Sequence, residues 1–272
     1  MRLSDIGELG LLRELERLGL VSGVEHDAAV LPGGLVVTQD ALVEGVHFRL
    51  DWISWRDLGF RAAAVNLSDL AASGAFPEAL VVTFAAPADT ELDGVVELYE
   101  GIAEAGTPVV GGDTTRADSL VLSMTAIGRS ERVPGRAGAE AGDTIVVTGP
   151  LGCAGAAFRR GAYLRPPVRL DEGRRLAATA HALMDISDGL AVDAARIGER
   201  SDVRIEIDLD RVPLAEGAEL ADLGFGEDYE LLAAVPEAGG GFDEIGRCLE
   251  GSGVGLLHHG AKIELGGWQH FR

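Results

Sequence analysis

Lysine is almost missing from this sequence. Lys262 is the only one in 272 residues, so arginine carries nearly all the basic charge. That excludes a phosphate loop of the G-x-x-x-x-G-K-[ST] kind and a lysine Schiff base. Cysteine is nearly as scarce. Cys153 and Cys248 are the two present, with no C-x-x-C pairing, which excludes a disulfide framework and a thiolate zinc site and fits a reducing compartment. No uninterrupted apolar stretch reaches the roughly 18–20 residues of a membrane helix. The opening MRLSDIGELGLLRELERLGL mixes acids into a helical period, so no signal peptide is expected. The expected location is cytoplasmic, with no membrane partner. Positive charge is short overall: 23 Lys+Arg against 44 Asp+Glu give a formal −21, which argues against nucleic acid as a partner. Phosphate ligands are not excluded, because bound cations invert the sign of a local field.

What is present is enough for a core: 47% of residues are hydrophobic and 25% charged. Ser4 is the expected cap of a first helix with Ile6, Leu9, Leu12, Leu15 and Leu18 on one face and Gly19 at its end. LVVTQD (35–40) reads as a strand. Ser54 is the expected cap of an alanine-rich helix, ALVVTFAAP (79–87) reads as a strand, and Asp89 opens a helix to Gly106. VVGGDTTR (109–116) and SLVLSMTAIG (119–128) complete this half as strands. SERVPGRAGAEAGD (130–143) has no period and reads as a linker. A second series follows: strands at TIVVTG, RIEIDL and YELLAAV, with helices near 167–180 and in DISDGLAVDAARIGER. Alternating strands and helices in both halves indicate a two-domain α/β chain, divided here as 1–135 and 136–272.

The aspartates stand out by position. Most of Asp27, Asp40, Asp69, Asp113, Asp185 and Asp188 follow apolar runs or adjoin Gly, Ser or Thr. A hard cation such as Mg²⁺ takes carboxylate oxygens and is often shared with substrate phosphates. Each aspartate alone also reads as a turn former or helix cap. Asp69 is harder to explain that way, since it sits in an alanine-rich packed helix where a lone charge is costly. Asp113 follows Gly111 and Gly112, and glycines let a backbone approach a ligand closely.

The segments VEHDAAVL, VVTQDALVEGVHF, AVNLSDLAASGA, VVGGDTTR, GRAGAEAGD, MDISDGL, GEDYEL and GWQHF, in this order along nearly the whole chain, resemble the motif set of the thiamine-monophosphate kinase family. That family lies in the superfamily of aminoimidazole ribonucleotide synthetase. The resemblance implies an N-terminal ATP/Mg-binding α/β domain with a dimerising sheet, a C-terminal α/β domain completing the nucleotide and substrate site, and a homodimer. The implied reaction is γ-phosphoryl transfer from ATP to thiamine monophosphate, giving thiamine diphosphate. Several Mg²⁺ ions are the implied cofactors, with a monovalent cation as a further candidate.

By that resemblance Asp27, Thr38, Asp40, Asp69, Asp113, Asp185 and Asp188 are metal ligands. Asp185 and Asp188 lie nearest the transferring phosphate, and Gly112, Asp113, Arg136, Ser187 and Tyr99 contact nucleotide. His47, Asp228 or Glu227, and Trp268 contact thiamine monophosphate. Read from the residues alone, Arg136 is a linker charge, His47 is a packed or surface histidine, Tyr99 is a helix-face aromatic packed on the core, and Trp268 is an apolar plug. The chain departs from the family at His26, where an aspartate is usual, and at Gln39, where Thr or Ser is usual. Other ATP/Mg-dependent members of the superfamily, a non-catalytic metal- or nucleotide-binding relative, and a metal-dependent phosphatase stand as alternatives.

Overall fold

The computed structural model describes residues 2–22, 26–236 and 241–268. In chain order the elements are α1 (Leu3–Arg17), β1 (Ala29–Leu31), β2 (Leu35–Val43), α2 (Trp55–Ala72), β3 (Phe76–Ala86), α3 (Leu92–Glu104), β4 (Val109–Arg116) and β5 (Val121–Arg129). Then come β6 (Thr144–Val147), α4 (Cys153–Phe158), α5 (Leu170–Ala177), β7 (Ala182–Asp185), α6 (Leu190–Ser201), β8 (Val203–Asp208), β9 (Leu231–Val235), β10 (Asp243–Glu250), β11 (Gly253–His258) and β12 (Ala261–Ile263).

The first sheet runs β1-β2-β5-β3-β4, antiparallel except for the β3–β4 pair. Alternation sorts its two faces. Val36, Leu42, Leu80, Val82, Leu122 and Met124 are buried against the helices. Val37, Gln39, Ala41, Ser123 and Thr83 lie on the other face, against which no helix of the described residues packs extensively. β4 is an edge strand and every residue in it is exposed. The second sheet runs β12-β11-β8-β10-β6-β9-β7, with β8 and β11 parallel, and encloses its own core against α6.

α2 joins the two units. Ser54 accepts the Asp57 N–H at 3.0 Å and caps it as the sequence suggests. Leu58, Ala62, Leu67 and Leu70 pack on the first sheet, while Ala71 and Ala72 pack with Leu176, Leu183, Leu231 and Val235 of the second unit. A helix buried on nearly all sides needs small side chains. A Cβ on Gly59 would lie 1.9 Å from the Leu98 carbonyl oxygen, and one on Gly101 would lie 1.8 Å from that of Arg56, so α2 and α3 touch backbone to backbone.

Several boundaries differ from expectation. α1 begins at Leu3, so Ser4 sits inside its first turn, and Gly7 at φ 65° breaks its regularity. α3 begins at Leu92 after Glu91, leaving Asp89 in the preceding turn. The expected helix over 167–180 is α5, eight residues long. The strands β10, β11 and β12 are not expected from the sequence; glycines interrupt β10 and β11, and β12 is three residues long, which weakens any period-2 signal. Among the described residues no helix is long and apolar enough to cross a membrane.

Candidate functional site

Where the two units meet, α2 and β2 face the loop after β7, and between them lies a cavity of about 730 Å³. The first unit contributes Asp27 from the loop before β1, Thr38 and Asp40 from β2, and Asp69 from α2. The second contributes Asp185 from the end of β7, Ser187 and Asp188 from the next loop, and Arg136. Three carboxylates, Asp27, Asp69 and Asp185, each offer an oxygen within 4.8 Å of the other two. They come from sequence positions as far apart as 27 and 185, so the fold, not local structure, gathers them.

The surroundings hold these groups in place. Ser68 Oγ donates to Asp185 at 2.6 Å, and the Thr38 hydroxyl donates to Asp69. Arg136 puts Nε and Nη2 on one oxygen of Asp27, at 2.9 and 2.5 Å. Burial, then repulsion from neighbouring aspartates, pushes the Asp69 and Asp185 carboxyls well above the usual carboxylate range. The same two causes raise Asp40 to about 6. A set of oxygen-only donors that repel one another is what a hard divalent cation fits, since its charge converts the repulsion into attraction.

The loop after β7 has a further device. One oxygen of Asp193 accepts the backbone N–H groups of Ser187, Asp188 and Gly189, at 3.1, 3.0 and 3.1 Å. Its other oxygen takes Nη1 of Arg196 at 2.7 Å, and Nη2 of the same arginine binds Asp188. Burial raises Asp193 to about 7. The N–H groups of Ser187, Asp188 and Gly189 are therefore not free to cradle phosphate, because Asp193 already accepts them. Asp193 and Arg196 were not singled out in the sequence; an Asp one turn inside a helix, with an Arg three residues on, reads as an ordinary surface pair.

The rest of the wall is aromatic and polar. Phe158, Tyr163, Phe225, Tyr229 and Trp268 line the cavity. Phe158 packs on Phe225 at 4.8 Å and edge-on to Tyr163 at 6.2 Å between ring centroids. The Trp268 N–H donates to the Asp188 carbonyl at 2.9 Å, tying the C-terminal segment to the acidic loop. Gln269, His270 and Phe271 of the GWQHF motif lie outside the described residues. His47 lines the same cavity and accepts the Val43 N–H on Nδ1 at 3.0 Å, which leaves the proton of a neutral ring on Nε2.

Not every expected residue reaches this cavity. Asp228 points away from it: its carboxylate accepts the N–H groups of Gly152 at 2.7 Å and Ala154 at 3.2 Å, and so caps α4. Of the pair in GEDYEL it is Glu227, at φ 60°, that faces the cavity, held by the buried Arg61. Tyr99 sits on the outer surface of α3 beside Val95, Val96 and Ala103. Gly112 and Asp113 lie on the exposed edge strand β4. Gly112 shares a cross-strand row with Asp40 through Met124 and Val82, so three strand spacings, about 14 Å, separate them. The glycine also has a packing reason, since a Cβ there would lie 1.8 Å from the Val82 carbonyl oxygen. Asp113 shares its row with Thr83 and Ser123, on the face against which no helix of the described residues packs extensively. Gln39 lies on that face too, but it also lines the cavity, and its Nε2 donates to Ser123 Oγ at 3.0 Å.

Comparison with known proteins bears on this arrangement. Residues 25–130 match the AIR synthase related protein N-terminal domain, and residues 140–257 match the AIR synthase related protein C-terminal domain. The thiamine-monophosphate kinase of Aquifex aeolicus is 33% identical over 100% of both chains. The chain belongs to the thiamine-monophosphate kinase family. A Mycobacterium tuberculosis member is 35% identical over 99% of this chain and 93% of its own. A solved structure of AaThiL complexed with AMPPCP and TMP superposes with a TM-score of 0.88 at 33% identity, covering 99% of each chain. The two-domain AIR synthase-like α/β fold expected from the motifs is thus the fold of this family.

Proposed function

We propose that this chain transfers the γ-phosphoryl group of ATP to thiamine monophosphate, giving thiamine diphosphate and ADP. The observation that carries the proposal is the convergence of Asp27, Asp69 and Asp185 in one cavity beside an aromatic wall, in a chain of this family.

The acceptor is itself a phosphate, whose second pKa near 6 leaves it ionised at neutral pH, so little general-base help is required. The barrier lies in bringing two polyanions together. Asp27, Asp69 and Asp185, with Thr38, Asp40 and Asp188 around them, are the residues we assign to hold Mg²⁺. Bound there, the ions supply the positive charge that a chain with one lysine lacks. Asp193 fixes the backbone of Ser187 and Asp188, and Arg196 orients the Asp188 carboxylate. Arg136 orients Asp27 and presents a guanidinium fork suited to phosphate oxygens. Trp268, His47 and Glu227 are assigned to the thiamine end, where an indole face gains about 0.5–2 kcal/mol over a cation.

We assign residues 1–135 to nucleotide binding and dimerisation and 136–272 to completing the site. A homodimer formed through the uncovered face of the first sheet accounts for the outlying residues. It would let β4 of one copy bring Gly112 and Asp113 towards the Gln39–Asp40 end of the other. Tyr99 is a nucleotide contact only if the same pairing reaches it. A monovalent cation is a further candidate cofactor, and the proposed setting is the cytoplasm.

Purified protein with ATP, Mg²⁺ and thiamine monophosphate is the test. Thiamine diphosphate formed in step with ADP supports the proposal. ADP and inorganic phosphate without thiamine diphosphate would instead indicate a phosphatase, and tight nucleotide binding with no turnover a non-catalytic relative.

A further inference from the structure

A second ligand cluster lies outside the cavity, on the C-terminal unit. Asp210, in the turn after β8, faces His258 and His259 at the turn between β11 and β12. The ligand atoms of the three side chains lie within 4.8 Å of one another. Nδ1 of His258 is 2.9 Å and Nδ1 of His259 is 3.1 Å from the same oxygen, Oδ1 of Asp210.

Neighbouring residues in a strand point to opposite faces. Here both rings come to one side because His259 adopts φ 50°, a left-handed conformation unfavourable for a residue with a Cβ. The rings then stack with centroids 3.9 Å apart. The second oxygen of Asp210 accepts the His259 N–H at 2.8 Å, which fixes the carboxylate relative to the turn. The Nδ1 of His258 is buried and, among the described residues, makes no hydrogen bond, although it lies 2.9 Å from Asp210 Oδ1. A buried imidazole nitrogen with no hydrogen-bond partner, next to a carboxylate, is a donor atom that a bound cation would satisfy.

We propose that Asp210, His258 and His259 form a second metal site, separate from the acidic cavity, that takes a borderline-soft divalent ion of the Zn²⁺ class. Two imidazoles and one carboxylate suit Zn²⁺, whereas Mg²⁺ prefers oxygen ligands alone. Tetrahedral coordination places ligand atoms about 3.3 Å apart, so the 2.9 and 3.1 Å contacts need to open by only a few tenths of an ångström. The bound ion joins the β11–β12 turn to the turn after β8. That hairpin leads directly into the segment carrying Trp268, so the metal steadies the strand that feeds the cavity.

The test is calorimetric titration of chelator-treated protein with Zn²⁺ in excess Mg²⁺, comparing the wild type with His258→Gln/His259→Asn. Asparagine tolerates the left-handed turn, so the fold is kept. The expected result is one more Zn²⁺ bound by the wild type, and a wild-type melting temperature that rises with Zn²⁺ while the variant's does not. Kinase turnover with Mg²⁺ should be equal in the two. The single variant His259→Asn should bind Zn²⁺ at least tenfold more weakly than the wild type. Equal Zn²⁺ stoichiometry in wild type and double variant overturns the proposal. So does an extra Zn²⁺ that disappears in Asp69→Asn but not in the double variant.

Discussion

Replacing Asp69 with asparagine should make the metal-free protein more stable while destroying its activity. The oxygens of Asp27, Asp69 and Asp185 lie within 4.8 Å of one another, so at an effective dielectric of 20 each ionised pair costs about 3.5 kcal/mol or more. Asp69 belongs to two such pairs, about 7 kcal/mol. The carboxyl can escape by keeping its proton, but at pH 8 that costs about 1.4 kcal/mol for each unit above its ordinary value near 3.9, or about 5.6 kcal/mol. The penalty at pH 8 is therefore capped near 5–6 kcal/mol, and the Arg136 guanidinium on Asp27 offsets part of it. Asparagine keeps the shape, loses the charge, and can still accept the hydrogen bond from Thr38. A gain of about 3 kcal/mol is expected, which is roughly 5–10 °C in melting temperature for a chain of this size. Turnover should fall by more than the roughly 10–100-fold typical of a residue that only supports a ligand. Melting curves at pH 8 in chelator and in Mg²⁺, with an assay of thiamine diphosphate formation, measure all of this. A variant no more stable than wild type without metal, or one that keeps its activity, would refute the reasoning.

Other outcomes follow from the same geometry. The metal-free wild type should become more stable as pH falls from 8 to 6. Asp40, near 6, and Asp193, near 7, have folded-state pKa values raised above their unfolded ones, so the folded state binds more protons across the window from about 4 to 7 and loses that advantage as pH rises; a melting temperature flat or rising towards pH 8 would contradict this. Asp188→Asn should lose nearly all turnover while its far-UV circular dichroism stays unchanged. Trp268→Ala should raise KM for thiamine monophosphate roughly 3–30-fold, the equivalent of about 0.5–2 kcal/mol of lost cation–π contact, with KM for ATP little affected. Asp228→Ala should lower the melting temperature by uncapping α4, and leave KM for thiamine monophosphate within about twofold.

The sequence carried the acidic cluster well, and there is a physical reason. Asp185 ends the apolar strand β7 and Asp188 follows it in the next loop, while Asp40 and Asp69 interrupt otherwise apolar elements, so each is a polar group at a place where packing alone would not put one. Asp69 was the most telling, because a carboxylate among alanines has no local explanation. Three things could not be read this way. Asp228 and Glu227 are adjacent, and only the left-handed backbone at Glu227 decides which one faces the cavity and which one caps α4. Asp113 looks like Asp40 in sequence, but strand order, a long-range property, puts it at the far edge of the sheet. The aromatic wall draws Phe158 from the end of the short helix α4 and Tyr163 and Phe225 from irregular segments, with no shared period. Arg61 has the same character: a buried arginine is meaningful only once its partner, Glu227, is known.

The central claim is that Asp27, Asp69 and Asp185 together hold divalent ions that ATP shares. Anomalous diffraction from crystals grown with Mn²⁺ and a non-hydrolysable ATP analogue tests it most directly. The account requires anomalous peaks within coordination distance of carboxylate oxygens of these three residues and of the analogue's phosphates. Phosphates bound in the cavity with no anomalous peak against Asp27, Asp69 or Asp185 would contradict it.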